Sequence, residues 1–140
     1  KETQVRSMGR NASGVRGIRL RKGDEVMSVD VIEKSQDPKN LQVLVLSEFG
    51  LGKKTNLSEY KVQGRGGSGI KTMNITKKTG NICVMHIVDR AEEADLVVIS
   101  RAGQTLRTAL GTISTLGRAT QGVRVIRLAD KDTVASAAIV

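Results

Sequence analysis

Short apolar runs separated by polar turns recur along this chain at a fixed spacing. Ile18 and Leu20 stand to their neighbours as Met73 and Ile75 do, and again as Ile126 and Leu128 do. A polar turn follows each pair, at 21–25, 76–81 and 129–133, and a second apolar run opens at Val26, Ile82 and Val134. The runs 43–47 and 96–100 are almost wholly apolar. Each leads into a turn carrying Gly50 or Gly103 and then a basic–threonine pair, Lys54-Thr55 or Arg107-Thr108. A last run, 57–62 in one copy and 110–116 in the next, closes the unit. Runs of this length bounded by Gly, Asp, Asn and Lys predict four short strands per unit. Apart from room for a short turn at 92–94, no stretch keeps the 3.6-residue period of a helix. The predicted core is Val15, Ile18, Leu20, Leu44, Leu46, Ile70, Ile75, Val98, Ile99, Val123, Ile126 and Leu128.

A glycine signature marks where each unit begins. It reads Gly9-Arg10-Asn-Ala-Ser-Gly14-Val15-Arg16, then Gly64-Arg65-Gly-Gly-Ser-Gly69-Ile70-Lys71, then Gly117-Arg118-Ala-Thr-Gln-Gly122-Val123-Arg124. The steps are 55 residues (9 to 64) and 53 residues (64 to 117). Four strands per unit at such a period is the sequence form of a propeller blade. The fold class predicted is therefore all-β, an array of four-stranded antiparallel blades. The 140 residues hold about two and a half units, and both ends cut through one. The expectation is an open fragment of about three blades, two whole and one partial, from a longer array, because neighbouring repeats carry most of the contacts.

Charge adds a partner to this picture. The net charge is +9 and the isoelectric point near 10.1, a balance that suits a polyanion. One Phe, one Tyr and no Trp leave no platform for stacking bases. A basic surface without stacking groups points to the backbone of duplex DNA. The cations also keep register: Arg10, Arg65 and Arg118 in one slot, Arg16, Lys71 and Arg124 in another, Lys54 and Arg107 in a third. Arg19 and Arg127 complete the candidate DNA-binding set. In a repeat array one slot becomes one row, whereas a solvated face needs no such regularity; the competing reading for the Arg10 slot is a structural turn cap. Strand alternation sends Arg16, Lys71 and Arg124 outward if Val15, Ile70 and Val123 are buried.

Several other chemistries are weighed and set aside. Gly64-x-Gly66-x-x-Gly69 spells a dinucleotide fingerprint, but that requires a helix afterwards and 70–75 reads as a strand; 64–72 is nearly a phosphate-binding loop, but Ile70 intervenes and displaces Lys71 from its phosphate. The equivalent slots at Gly9 and Gly117 keep only two of the glycines, so Gly66, Gly67 and Gly69 are read as a tight loop needing positive φ. Tyr60 is read as a packing residue with its hydroxyl at the surface. Cys83 is alone, which excludes a disulfide framework and fits a small buried hydrophobe in a reducing compartment. His86 has no partner at ligand spacing, so no metal is assigned, and no catalytic constellation is recognisable. No signal peptide or membrane-spanning apolar run is present.

The stretch 59–72 resembles the C-terminal domain of the DNA gyrase A protein, as do 8–18 and 117–128, so the likeness covers essentially residues 1–140. It implies a β-pinwheel, a propeller variant whose blades exchange strands, with a basic rim that bends and wraps duplex DNA without sequence specificity. That wrapping supports ATP-dependent negative supercoiling. The family's seven-residue box reads Gln, basic, Arg, Gly, Gly, basic, Gly. Here Gln63, Arg65, Gly66, Gly67 and Gly69 match, while Gly64 and Ser68 replace the two basic positions, making this a degenerate copy. With this ending, the chain resembles the second half of the domain. The resemblance further implies no cofactor in this fragment, ATP and Mg²⁺ being used through other domains of the parent. It implies no catalytic residue here, duplex DNA and the rest of the gyrase A and B proteins in an A2B2 assembly as partners, no membrane, and the bacterial cytoplasm at the nucleoid. The C-terminal domain of the corresponding topoisomerase IV protein stands as an alternative, as does a propeller used for protein–protein contact.

Overall fold

The apolar run at 41–47 becomes a strand buried on both faces, and the rest of the fold is laid against it. The computed structural model describes residues 2–140. Among them seven strands form: β1 (Leu41–Ser47), β2 (Leu51–Asn56), β3 (Ile82–Asp89), β4 (Asp95–Ser100), β5 (Thr105–Ala109), β6 (Val123–Arg124) and β7 (Val134–Ile139). One antiparallel sheet has the order β3-β1-β2-β6, the other β5-β4-β7. The chain divides into two units, one comprising residues up to Glu25 with Lys61–Ile70, the other Val26–Tyr60 with Lys71–Val140.

Both sheets lie in the second unit, and each collects strands from successive repeats. β1 and β2 come from the repeat opened by Gly9, β3 from the next, and β6 from the third. Likewise β4 and β5 belong to the second repeat and β7 to the third. Both central strands break register before a serine, at Leu46/Ser47 and at Ile99/Ser100, so the repeat extends to its β-bulges. The sheets pack face to face. Leu44 and Leu46 of β1 meet Leu96 and Val98 of β4, with Ile126, Leu110 and Ile113 filling the layer. The opposite face of β1, Val43 and Val45, packs on Met73, with Tyr60 at its margin. Two covered faces explain why β1 reads as unbroken apolar sequence. β4 alternates, Leu96 and Val98 inward and Ile99 exposed.

Several expected strands lie elsewhere. The runs 18–20, 73–75 and 126–128 form no strand. Two of them supply anchors instead, Met73 and Ile126 being 2% exposed, while Ile18, Leu20 and Ile75 point to solvent. Ile99 and Val123 of the expected core are exposed too. The run opening at Val26 forms no strand. Side chains fasten it to the edge of β3, Ser28 Oγ donating to Met85 O (3.1 Å) and Ile87 N donating to Asp30 Oδ2 (2.7 Å). The closing runs 57–62 and 110–116 begin as 3-10 turns, Leu57–Glu59 and Leu110–Thr112. The strands lie just before them, in β2 and β5, where the basic–threonine pairs stand. β2 reads Leu-Gly-Lys-Lys-Thr-Asn and buries Lys53, Lys54 and Thr55, so its polar sequence hides a central strand. Among the described residues no helix is long and apolar enough to cross a membrane.

Candidate nucleic-acid interface

The last glycine of each signature fixes the loop geometry. Gly14, Gly69 and Gly122 have φ of 81°, 79° and 80°, a left-handed conformation that costs a side-chain-bearing residue about 1–2 kcal/mol. The cation two residues later, Arg16, Lys71 or Arg124, is exposed in all three copies. The apolar slot between is less regular: Val15 and Ile70 are half-buried, whereas Val123 is exposed, so outward cations here do not require a buried neighbour.

In the first unit the box 63–69 is an irregular loop. Gly66 N donates to Gly17 O (2.6 Å), Arg19 N donates to Gly67 O (2.8 Å), and Ile18 bridges Gly67 in parallel. These bonds gather Arg16, Arg19 and Arg65, all exposed, around one stretch of backbone. Arg10 is exposed in a turn closed by Ala12 N donating to Gly9 O (3.1 Å). Gln63 Nε2 donates to Lys61 O (3.2 Å), and a cleft of about 340 Å³ opens beside Gln63, Gly64 and Arg65. Gly66 (φ 75°) and Gly69 take positive φ as expected, while Gly67 does not. The chain after Gly69 forms no helix, which removes the dinucleotide and phosphate-loop readings.

In the second unit the third signature arches over the edge of β2. Before the arch, Lys54 N donates to Ser114 O (2.9 Å) and Leu116 N to Lys54 O (2.8 Å). After it, β6 pairs with Leu51 and Gly52. Lys53, which lies 0% exposed beneath the arch, fills it. Its ammonium donates to Gly117 O (2.6 Å), Arg118 O (2.8 Å) and Thr120 Oγ1 (3.0 Å). Burial lowers its pKa, the Glu59 carboxylate raises it, and the Arg118 guanidinium lowers it. Glu59 Oε2 also accepts from Arg118 N (3.2 Å). The half-buried Arg118 side chain donates to Lys71 O (3.3 Å) and lies 5.8 Å from the Tyr60 ring centroid, within cation–π range. Tyr60 hydrogen-bonds Thr72 through its hydroxyl, so that group is not free at the surface. The structure thus brings Lys71 and Arg118 together, with Arg124 on the adjoining strand and Arg127 exposed beyond it.

The third basic slot separates into two roles. Lys54 is buried, and its Nζ donates to Leu110 O (2.7 Å), with burial lowering its pKa. That corrects its assignment as an outward DNA-binding residue: the strand turns it toward the layer between the sheets. Arg107 is exposed, its Nε donating to Asp95 Oδ2 at 2.6 Å. Lys53 was missed because its counterpart in the next repeat is Leu106, so it stands outside every repeated basic register. Only the buried position of β2 could have signalled it. Cys83 is half-buried against the inter-sheet core, and burial pushes its thiol up to about 11, with Glu48 adding to the shift. His86 Nε2 lies 3.3 Å from Ala137 O, joining β3 to β7.

The chain is similar to known proteins. A family profile described as DNA gyrase C-terminal domain, beta-propeller, matches residues 1–33, 42–82 and 94–140. The DNA gyrase A protein of Staphylococcus aureus (strain MRSA252) is 43% identical over 138 residues, covering 98% of this chain and 15% of that protein. The chain therefore spans a small part of the length of the curated relatives it matches. A solved DNA gyrase A C-terminal domain superposes with TM-score 0.76 at 30% identity, covering 97% of this chain and 44% of that one. The C-terminal domain of DNA topoisomerase IV superposes with TM-score 0.85 at 21% identity, covering 99% and 42%, which shows a shared fold. This chain belongs to the DNA gyrase C-terminal, β-propeller domains.

Proposed function

We propose that this chain binds, bends and wraps duplex DNA, as part of a gyrase A protein that works with gyrase B in an A2B2 assembly in the bacterial cytoplasm. In that assembly ATP and Mg²⁺ act through other domains, and the wrap supports negative supercoiling. The observation that carries the reading is the exposed cation after each left-handed glycine, Arg16, Lys71 and Arg124. Arg10, Arg19, Arg65, Arg107, Arg118 and Arg127 add to it, on a chain of net charge +9 without stacking aromatics. Such groups neutralise phosphates and read no base edges, so affinity depends on salt and on how readily the DNA bends. The box at 63–69 contributes through Arg65.

The test compares Arg65→Ala, Lys71→Ala and Arg124→Ala with Lys77→Ala, a turn cation outside the repeated slots. Each of the first three should weaken duplex binding about equally across sequences and lower the salt slope by about one, with Tm unchanged. Affinities equal to that of the control would show that DNA does not follow the repeated cations. Unfolding of Arg65→Ala would instead make that slot a structural cap.

A further inference from the structure

We infer that Lys53 is a positioning residue for DNA binding: it never meets DNA, but its ammonium holds the 117–120 arch in the one shape that presents Arg118 to a phosphate. The inference rests on the DNA-binding reading and adds a residue that carries no contact of its own.

Three observations support it. First, Lys53 has no exposed surface, so a cation in a chain rich in exposed cations is here directed inward. A buried ammonium is retained only where acceptors replace its lost water. Second, the acceptors all come from the arch. Lys53 takes the carbonyls of Gly117 and Arg118 and the hydroxyl of Thr120, and Thr120 Oγ1 in turn donates to Gly117 O (2.9 Å). Three donors on one nitrogen converge on four residues of backbone, which a neutral side chain cannot match. Third, the residue at the centre of this network is Arg118. Its carbonyl is bound by Lys53 and its amide by Glu59, while its side chain rests between Tyr60 and Lys71. Asn74 holds the far side of the same arch, its amide donating to Thr120 O (2.9 Å) and its Nδ2 to Ala119 O (2.7 Å). The arch is therefore pinned on both flanks, with Lys53 as the pin from beneath. Positive charge below the arch also lowers the cost of placing an anion above it.

The test uses the whole chain and a duplex of mixed sequence, with affinity measured over a range of monovalent salt well below the melting temperature. The unaltered chain is measured first; a flat salt response there would overturn the DNA reading itself. Given a salt-dependent wild type, Lys53→Met should lower the slope by about 0.9 and weaken binding roughly eightfold at 0.1 M salt, the share of one phosphate contact. That effect should vanish in an Arg118→Ala background, because the contact Lys53 supports is already gone. Amide exchange at 117–122 should quicken without a matching change in β1 or β4. Should Lys53→Met fail to fold, Thr120→Val removes one of the three acceptors and should shift the slope in the same direction. Wild-type affinity in the folded variant, or losses that add fully with Arg118→Ala, would overturn the inference.

Discussion

Lys53, Lys54 and Arg107 show how little a residue's type says about its task until its face is known. Lys53 and Lys54 are adjacent on β2 and so point to opposite faces, one under the arch and one toward the core between the sheets. Arg107 shares Lys54's slot in the repeat, yet on the edge strand β5 it is exposed and paired with Asp95. Lys54→Ala should therefore destabilise by about 1–3 kcal/mol, because Leu110 O keeps only its 3.2 Å bond from Ile113 N and a buried side chain is lost from the layer between the sheets. Arg107→Ala should stay within about 0.5 kcal/mol, as exposed ion pairs contribute little. Thermal melts of the two variants check this, and equal losses would contradict the assignment of faces. Cys83 gives a second test at this scale. With its thiol raised from 9.0 to about 11, its thiolate population at pH 8 is about a hundredfold below that of a free cysteine. A thiol-specific disulfide reagent should label it more slowly in native protein than in denaturant, by about one to two orders of magnitude; equal rates would contradict the burial.

Elements in this chain are set by a few backbone positions more than by apolar content. A Cβ at Gly122 would meet Gly52 O at 2.7 Å as well as requiring φ of 80°, so β6 reaches β2 only through two facing glycines. Gly122→Ala should cost more than about 2 kcal/mol, strain and backbone clash together, whereas Gly117→Ala has its nearest neighbour at 3.8 Å and should be almost silent. Chemical denaturation distinguishes them, and a silent Gly122→Ala would contradict the β2–β6 contact. The turns at 21–24 and 129–132 are equivalent, each closed by a 3.1 Å bond to its first carbonyl. Gly23 takes φ of 85° in one and Lys131 takes 62° in the other. Lys131→Gly should stabilise by about 0.5 kcal/mol, the left-handed penalty removed less the entropy a glycine adds; a lower Tm would count against this. The repeat, its turns and the central strands β1 and β4 were legible because glycine spacing and unbroken apolar runs record them directly. β2 was not, because its buried Lys53, Lys54 and Thr55 are satisfied by acceptors at 110–120 and leave no apolar period, and β5 was not, because Thr105–Ala109 is an edge strand with no buried residue. The apolar run opening at Val26 forms no strand and stays exposed, since apolar content alone does not record the presence of a partner strand.

Across the whole molecule the candidate site was legible as registers and not as contacts. Three glycine signatures identified the slots of Arg16, Lys71 and Arg124, and all three are exposed. The arch under which Lys53 lies was invisible, because it depends on β6 returning to β2 from a later repeat. The central claim is that the partner is the phosphate backbone of duplex DNA. The most direct measurement is the affinity of this chain for duplexes of unrelated sequence between roughly 50 and 200 mM salt. Log K should fall linearly with log salt, by about 0.9 for each phosphate contacted, with nearly the same slope for every sequence and only a modest preference for easily bent DNA. A flat salt response, or strong binding confined to one sequence, would contradict the account.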